Sequence, residues 1–208
     1  MLVKICGITR QIDAERAVAF GAHALGFIFW PKSPRFVDPY RARAIAAALP
    51  PFVAPVGVFV DQPVDYVNGV ASLVGLAAVQ LHGEEDVEYA AAIHRPVVKA
   101  IGFGGGEMRI DAWPARYTLL LDAHDPALRG GTGRTIDWTR AATIAAARRT
   151  ILSGGLTPEN IASAIDAVRP FGVDVSSGVE DAPGIKNHER LQALFEGIHA
   201  VGSVPARS

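Results

Sequence analysis

The stretch TILSGGLTPENIASAIDAVRPFGVDVSSGVED, residues 150–181, contains one complete structural repeat of this protein. Residues 150–154 and 172–176 are short apolar runs rich in Val, Ile and Leu, as is typical of buried strands. Residues 157–169 lie between them, have helical periodicity, and open with a capping residue and a proline. This order predicts a strand, a helix and a second, parallel strand.

The same alternation extends back to the start of the chain. Helical patterns separate further apolar runs, and one of these patterns has Asp38 as its predicted N-cap and Pro39 in its first position. The segment after residues 96–102 is crowded with Gly and Pro and gives the weakest helical pattern. The further strands are predicted at residues 2–6, 24–29, 55–60, 76–81, 96–102 and 117–122.

Eight such units predict an α/β fold, a single (β/α)8 TIM barrel with short loops over residues 1–200, followed by a loose tail over residues 201–208. A doubly wound sheet is the rival architecture. That fold usually carries a glycine fingerprint after its first strand, and the residues CGITR that follow here are not such a fingerprint.

The composition and net charge of the chain disfavour several classes of partner and cofactor. The chain has 208 residues and a net charge of −1, which favours neither nucleic acid nor an anionic membrane as a partner. It has one cysteine, which excludes an internal disulfide and fits a reducing, cytoplasmic setting. The histidines show no metal-ligand spacing, so we expect no metal. No apolar loop stands out as an interface, so we expect a monomer.

Barrel enzymes carry their sites at the carboxyl ends of the strands, and the last two loops are rich in glycine there. Backbone N–H groups in these loops, with a short helix beginning at Val179, predict a phosphate site without a lysine. Tight turns would explain either loop alone, but barrels use these two positions together for phosphate. The predicted phosphate-binding residues are Gly154, Gly155, Ser176, Ser177 and Gly178.

Cys6 and Asp122 end the first and sixth predicted strands. A lone cysteine is often a small buried apolar residue, and a strand-end aspartate is often a loop cap. Strand parity, however, can direct both side chains into the barrel mouth. An apolar mouth would favour a protonated Asp122, which suits a general acid, and the Cys6 thiolate would serve as a base.

Lys4 shares the parity of Cys6 and is expected inside the barrel, where an ammonium group needs a partner. Asp174 on the adjoining eighth strand has matching parity, so we expect the two to approach each other.

Arg35 suits a substrate carboxylate but is equally an ordinary surface arginine. His82 is either a donor in the mouth or only a strand-end residue. Gly131 belongs to the segment RGGTGRT, a flap over the substrate or a flexible connector.

Several motifs occur in order along nearly the whole chain and together closely resemble the phosphoribosylanthranilate isomerase family of tryptophan biosynthesis. Each motif is modest alone, but the ordered set is specific. The motifs are KICGIT, GAHALGFIFWPKSPRFV, VGVFV, VQLHGEE, LLLD, GGTGRTIDW, LSGGLTPENI and DVSSGVED, followed by PGIKN.

The resemblance implies an aldose–ketose isomerisation, an Amadori rearrangement of N-(5-phosphoribosyl)anthranilate that needs no cofactor. It implies that Asp122 protonates the ring oxygen, that Cys6 removes the C2 proton and that Arg35 binds the anthranilate carboxylate. His82, Gly131 and Asp174 are candidates for further substrate contacts. Two alternatives remain at this stage, namely a lyase similar to indole-glycerol-phosphate synthase and a non-catalytic phosphosugar-binding barrel.

Overall fold

The structure is a computed structural model that describes residues 1–103, 110–123 and 137–202. Eight parallel strands close into a barrel in sequence order, so the barrel prediction is confirmed and a doubly wound sheet is excluded. The strands are β1 (Leu2–Cys6), β2 (Ala24–Ile28), β3 (Ala54–Phe59), β4 (Ala78–Leu81), β5 (Val97–Phe103), β6 (Thr118–Ala123), β7 (Thr150–Leu152) and β8 (Gly172–Val175).

In the described part of the chain, helices follow every strand except β5. A three-residue 3-10 turn, Ile110–Ala112, stands after β5, where glycine and proline weakened the helical pattern. No helix among the described residues is long and apolar enough to cross a membrane. The helices are α1 (Gln11–Phe20), α2 (Pro39–Ala47), α3 (Val64–Val74), α4 (Val87–Ala91), α5 (Trp138–Ala147), α6 (Ile161–Val168) and α7 (His188–Gly202).

The predicted helix starts are confirmed at α2 and wrong at α6. The Asp38 side chain accepts hydrogen bonds from the first free N–H groups of α2, and Pro39 occupies the first helical position. Helix α6 begins at Ile161 rather than at the Thr157–Pro158 pair. The Asn160 side chain instead bridges the preceding turn, accepting from Thr157 N at 2.9 Å and donating to the Gly155 carbonyl at 2.8 Å. Asn160, which the sequence pattern placed inside the helix, therefore shapes the loop after β7.

Strand parity divides the side chains between the outside and the inside of the barrel. Ile5, Leu25 and Leu119 belong to the large apolar core shared with the helices and are fully buried. Leu120 belongs instead to a small cluster within the barrel. Asp122 shares the parity of Leu120 and therefore lies above this inner cluster, at the mouth.

A hairpin after β8 departs from the sequence prediction. Residues Ser177–Val179 form a 3-10 turn, so the short helix predicted to begin at Val179 is wrong. Strand β9 (Glu180–Ala182) then pairs antiparallel with β10 (Ile185–Lys186). Gly184, with φ of 80°, permits the tight connection between them. Of the tail predicted over residues 201–208, residues 201 and 202 belong to α7, and residues 203–208 lie outside the described residues.

Candidate active site

A cavity opens at the carboxyl ends of the strands and collects most of the predicted site residues. Gly178 is not among the residues that line it, and Gly131 lies outside the described residues. The cavity is also lined by part of the loop after β2, including the ring of Trp30. The predicted residues that line it are Cys6, Arg35, His82, Asp122, Gly154, Gly155, Asp174, Ser176 and Ser177.

Cys6 reaches this cavity from β1 and is only 6% exposed. Its partner across the sheet is Gly26, where an added Cβ would lie 2.7 Å from Cys6 Sγ and 3.0 Å from Lys4 Nζ. The thiol and the ammonium therefore meet in the space that the glycine leaves open. Burial raises the pKa of the Cys6 thiol, and the nearby Lys4 ammonium works in the opposite direction.

Lys4 forms the predicted buried ion pair with Asp174, because β1 and β8 place the two residues directly opposite each other. Lys4 Nζ lies 2.8 Å from Asp174 Oδ1, so the prediction of their approach is confirmed. Burial opposes the charge on Lys4, but Asp174 and Cys6 together raise the pKa of Lys4 above its ordinary value. A charged ammonium is thus held beside the thiol.

Asp122 is 5% exposed and belongs to a chain of polar side chains. Its Oδ2 lies 3.2 Å from His82 Nε2, and His82 Nδ1 lies 3.0 Å from Gln80 Nε2. His82 is therefore more than a strand-end residue, since it contacts the predicted acid. Gln80 lines the cavity, and its buried Oε1 has no hydrogen-bond partner among the residues that the structure describes. That oxygen is an acceptor available to a ligand hydroxyl.

The two glycine-rich loops pack directly on each other beside the cavity. Gly154 and Gly155 have φ of 83° and 65°, the left-handed region that favours glycine. A Cβ at Gly178 would overlap the carbonyl oxygen of Leu156, so only glycine permits this approach of the second loop to the first. Ser176 Oγ donates to the Cys6 carbonyl at 3.1 Å, which joins these loops to the end of β1.

Comparisons with known proteins agree with this geometry. A family model described as N-(5'-phosphoribosyl)anthranilate (PRA) isomerase matches residues 3–197. The chain belongs to this family. A family member from Citrifermentans bemidjiense is 48% identical over 196 residues, which cover 93% of this chain and 94% of that protein.

Solved structures of the family superpose on the whole barrel. The PRA isomerase from Thermotoga maritima has a TM-score of 0.89 at 44% identity, over 96% of this chain and 99% of that one. A PRA isomerase in complex with reduced 1-(o-carboxyphenylamino)-1-deoxyribulose 5-phosphate has a TM-score of 0.85 at 42% identity, over 96% and 99% of the two chains. The chain therefore shares the barrel of PRA isomerases along nearly its full length.

Sequence reasoning overlooked three polar residues of this PRA isomerase site. Gln80 is one of them, although a polar side chain that points into a barrel is a usable signal. Glu180 and Lys186 lie on the hairpin, which the sequence pattern does not predict. Both are buried, and both contact residues that were predicted.

Replacing Lys4 with methionine is expected to lower the free energy of unfolding of this PRA isomerase by about 3–5 kcal/mol, because Asp174 would be left buried without a counter-charge. The pKa of Lys4 is raised in the folded state. Its contribution is therefore fully present below about pH 10.4, the unfolded value, and is lost as the pH rises through the folded value. Urea unfolding at pH 7 and at higher pH measures both effects.

The matched control is the double variant Lys4→Met, Asp174→Asn. It removes the orphaned carboxylate and is expected to recover part of the lost stability. A single Lys4→Met variant that unfolds at the wild-type urea concentration would contradict the ion-pair argument.

Proposed function

We propose that this chain performs the family reaction with Asp122 as the acid and Cys6 as the base, and that Arg35 and the glycine-rich loops hold the substrate. The substrate is N-(5'-phosphoribosyl)anthranilate, and the product is 1-(2-carboxyphenylamino)-1-deoxyribulose 5-phosphate. The observation that carries the proposal is the placement of Cys6 and Asp122 on the wall of one cavity, with each side chain almost fully buried.

The steps follow from this placement. Asp122 gives a proton to the furanose ring oxygen, the bond from C1 to that oxygen breaks, and the nitrogen lone pair forms a protonated Schiff base at C1. The Cys6 thiolate then removes the C2 proton, the electron pair of that C–H bond forms a double bond between C1 and C2, and the π pair of the iminium bond returns to nitrogen. The resulting enolamine tautomerises to the ketone. Proton transfer suffices for every step, so no cofactor is required.

We assign the two ends of the substrate to different residues of the cavity wall. The phosphate lies at the loops that contain Gly154, Gly155, Ser176 and Ser177, whose backbone N–H groups supply donors without competing charge. The role of Gly178 is structural, because its lack of a side chain lets the two loops pack against each other. The anthranilate carboxylate lies at Arg35. A ribose hydroxyl donates to the unpartnered Oε1 of Gln80, which accounts for that buried acceptor.

The test is conversion of the fluorescent substrate by the purified chain, followed as loss of anthranilate fluorescence. Saturable turnover is expected. A substrate analogue without the phosphate is expected to show a higher KM, because the loops then have no anion to bind. A chain that binds the phosphosugar without converting it would favour the non-catalytic barrel instead.

We also propose that the enzyme works in the cytoplasm, where its single buried thiol stays reduced. A free thiol detected by mass spectrometry after purification from cytoplasm without reductant would support this location.

The monomer remains a prediction. The loop between α2 and β3 carries one large apolar side chain, Phe52, that is fully exposed. A PRA isomerase from Thermotoga maritima is described as dimeric. Light scattering decides the matter, since a monomer has a mass of 22.0 kDa.

A further inference from the structure

The hairpin of β9 and β10 places two charged side chains behind the cavity wall. The side chain of Glu180 is 4% exposed and that of Lys186 is fully buried. Neither is among the described residues that line the cavity. Each nevertheless contacts a residue assigned to the site, so their role must be exercised through those contacts.

Glu180 binds one particular edge of the Arg35 guanidinium. Arg35 Nε donates to both carboxylate oxygens at 3.0 Å, and Arg35 Nη2 donates to Oε2 at 2.7 Å. A guanidinium has five N–H donors arranged in a plane. The Nε edge is taken by Glu180, which leaves Nη1 and the second N–H of Nη2. These form a parallel pair of donors, the geometry that binds a carboxylate with two hydrogen bonds.

The backbone of Gly7 brings Arg35 close to the first strand end. An added Cβ at Gly7 would lie 2.8 Å from Arg35 Cδ and 3.1 Å from Ser176 Oγ. The arginine stem therefore runs across Gly7, and Glu180 holds its far end. Gly7 and Glu180, which both contact Arg35, are not among the described residues that line the cavity.

Lys186 prevents Glu180 from cancelling the charge of Arg35. Its Nζ lies 2.8 Å from Glu180 Oε1, and with Lys186 protonated the three side chains together carry one net positive charge. Burial lowers the pKa of Lys186, and the Glu180 carboxylate opposes that shift. Burial opposes the charge on Glu180, but the hydrogen bonds from Arg35 and Lys186 hold its pKa below the ordinary value. Lys186 Nζ also donates to the carbonyls of Cys6 at 2.6 Å and Ser176 at 3.2 Å. The hairpin thus joins the carboxylate site to the end of β1.

We propose that Glu180 is a positioning residue that turns the Nη1–Nη2 edge of Arg35 toward the substrate carboxylate, with Lys186 holding Glu180 in place. The proposal rests on the proposed function only in taking Arg35 as the carboxylate site. Glu180 then determines specificity for an N-aryl substituent that carries an ortho carboxylate. Its effect should vanish for a substrate without that group.

The test compares Glu180→Gln with wild type on two substrates, the anthranilate and the aniline derivatives of phosphoribosylamine. On the anthranilate substrate we expect a loss in kcat/KM of about 10- to 100-fold, mostly as a higher KM, from the loss of charged hydrogen bonds that orient Arg35. On the aniline substrate, which is already slower, we expect a change of less than about threefold. Asp181→Asn, at the exposed neighbouring position, is the matched control and should match wild type on both substrates.

Equal losses on both substrates would overturn the positioning role in favour of a structural one, and no loss on either would overturn it outright. If Glu180→Gln does not fold, Glu180→Asp keeps the charge but shortens the reach, and the same selective loss is expected. Calorimetry with reduced product analogues, with and without the carboxyl group, measures the difference in their binding affinities without any turnover. A wild type that binds both analogues but converts nothing would therefore overturn the proposed function, while the binding preference still decides the role of Glu180.

Discussion

Replacing Cys6 with serine is expected to lower kcat/KM by about 10²- to 10⁴-fold, the usual contribution of a general base. The serine hydroxyl has nearly the same size but does not ionise in the working pH range, so it cannot take the C2 proton. The fold should be unaffected, because the change keeps a small side chain in the space beside Gly26. Fluorescence assays of turnover and thermal unfolding of both proteins measure the two quantities.

The pH profile provides a second readout of the same prediction. A base acts only when deprotonated, so kcat/KM should rise with pH through the pKa of Cys6 in the free enzyme. Burial raises the pKa of Cys6, although Lys4 opposes the shift. The rising limb should therefore lie above about 8.5, the ordinary cysteine value. If the serine variant turned over substrate at the wild-type rate and its kcat/KM rose with pH over the same range, another group would be the base.

Replacing Asp122 with asparagine is expected to reduce kcat/KM by a similar factor, about 10²- to 10⁴-fold. The amide keeps the size of the carboxyl group, and its oxygen can still accept a hydrogen bond from His82 Nε2, which lies 3.2 Å from the carboxylate. It cannot donate an acidic proton to the ring oxygen. The loss should therefore appear in kcat more than in KM, because substrate contacts elsewhere in the cavity remain.

Asp111→Asn is the matched control, since Asp111 is an exposed aspartate on the 3-10 turn after β5 and does not line the cavity. It should retain wild-type kinetics. His82→Ala should cause a smaller loss than Asp122→Asn, because His82 contacts the acid but does not itself supply the proton. If Asp122→Asn keeps more than about a tenth of wild-type activity, general acid catalysis at this residue is excluded.

The parts of the site that follow strand periodicity were predictable. Cys6 and Asp122 end apolar strands, and in a parallel barrel all strand ends meet at one mouth. The pairing of Lys4 with Asp174 was predictable for the same reason, because adjacent strands of a closed barrel place residues of matching parity opposite each other. In each case the alternation of side chains along a strand, combined with the assumption of a closed barrel, was enough to predict where the side chain lies.

The parts that depend on irregular backbone were not predictable in the same way. Asn160 had the spacing of a residue inside a helix, yet its amide shapes the loop before α6. A short helix was expected to begin at Val179, but residues 177–179 form a 3-10 turn and a hairpin follows. Short-range patterns do not distinguish these outcomes, since hydrogen bonds to distant residues such as Cys6 and Arg35 help to decide them.

The sequence by itself determined the barrel, the cluster of groups at its mouth and the family resemblance, because eight repeats of a buried strand and a helix have few ways to close around one core. Only the tertiary structure decided how those groups are held. The Nε edge of Arg35 is bound by Glu180, which is 145 residues away along the chain, and the surroundings of Cys6 include Lys4, which pairs with Asp174, and Lys186. Charge placement inside a protein is set by all neighbours in space, and those neighbours come from distant segments that no local pattern encodes.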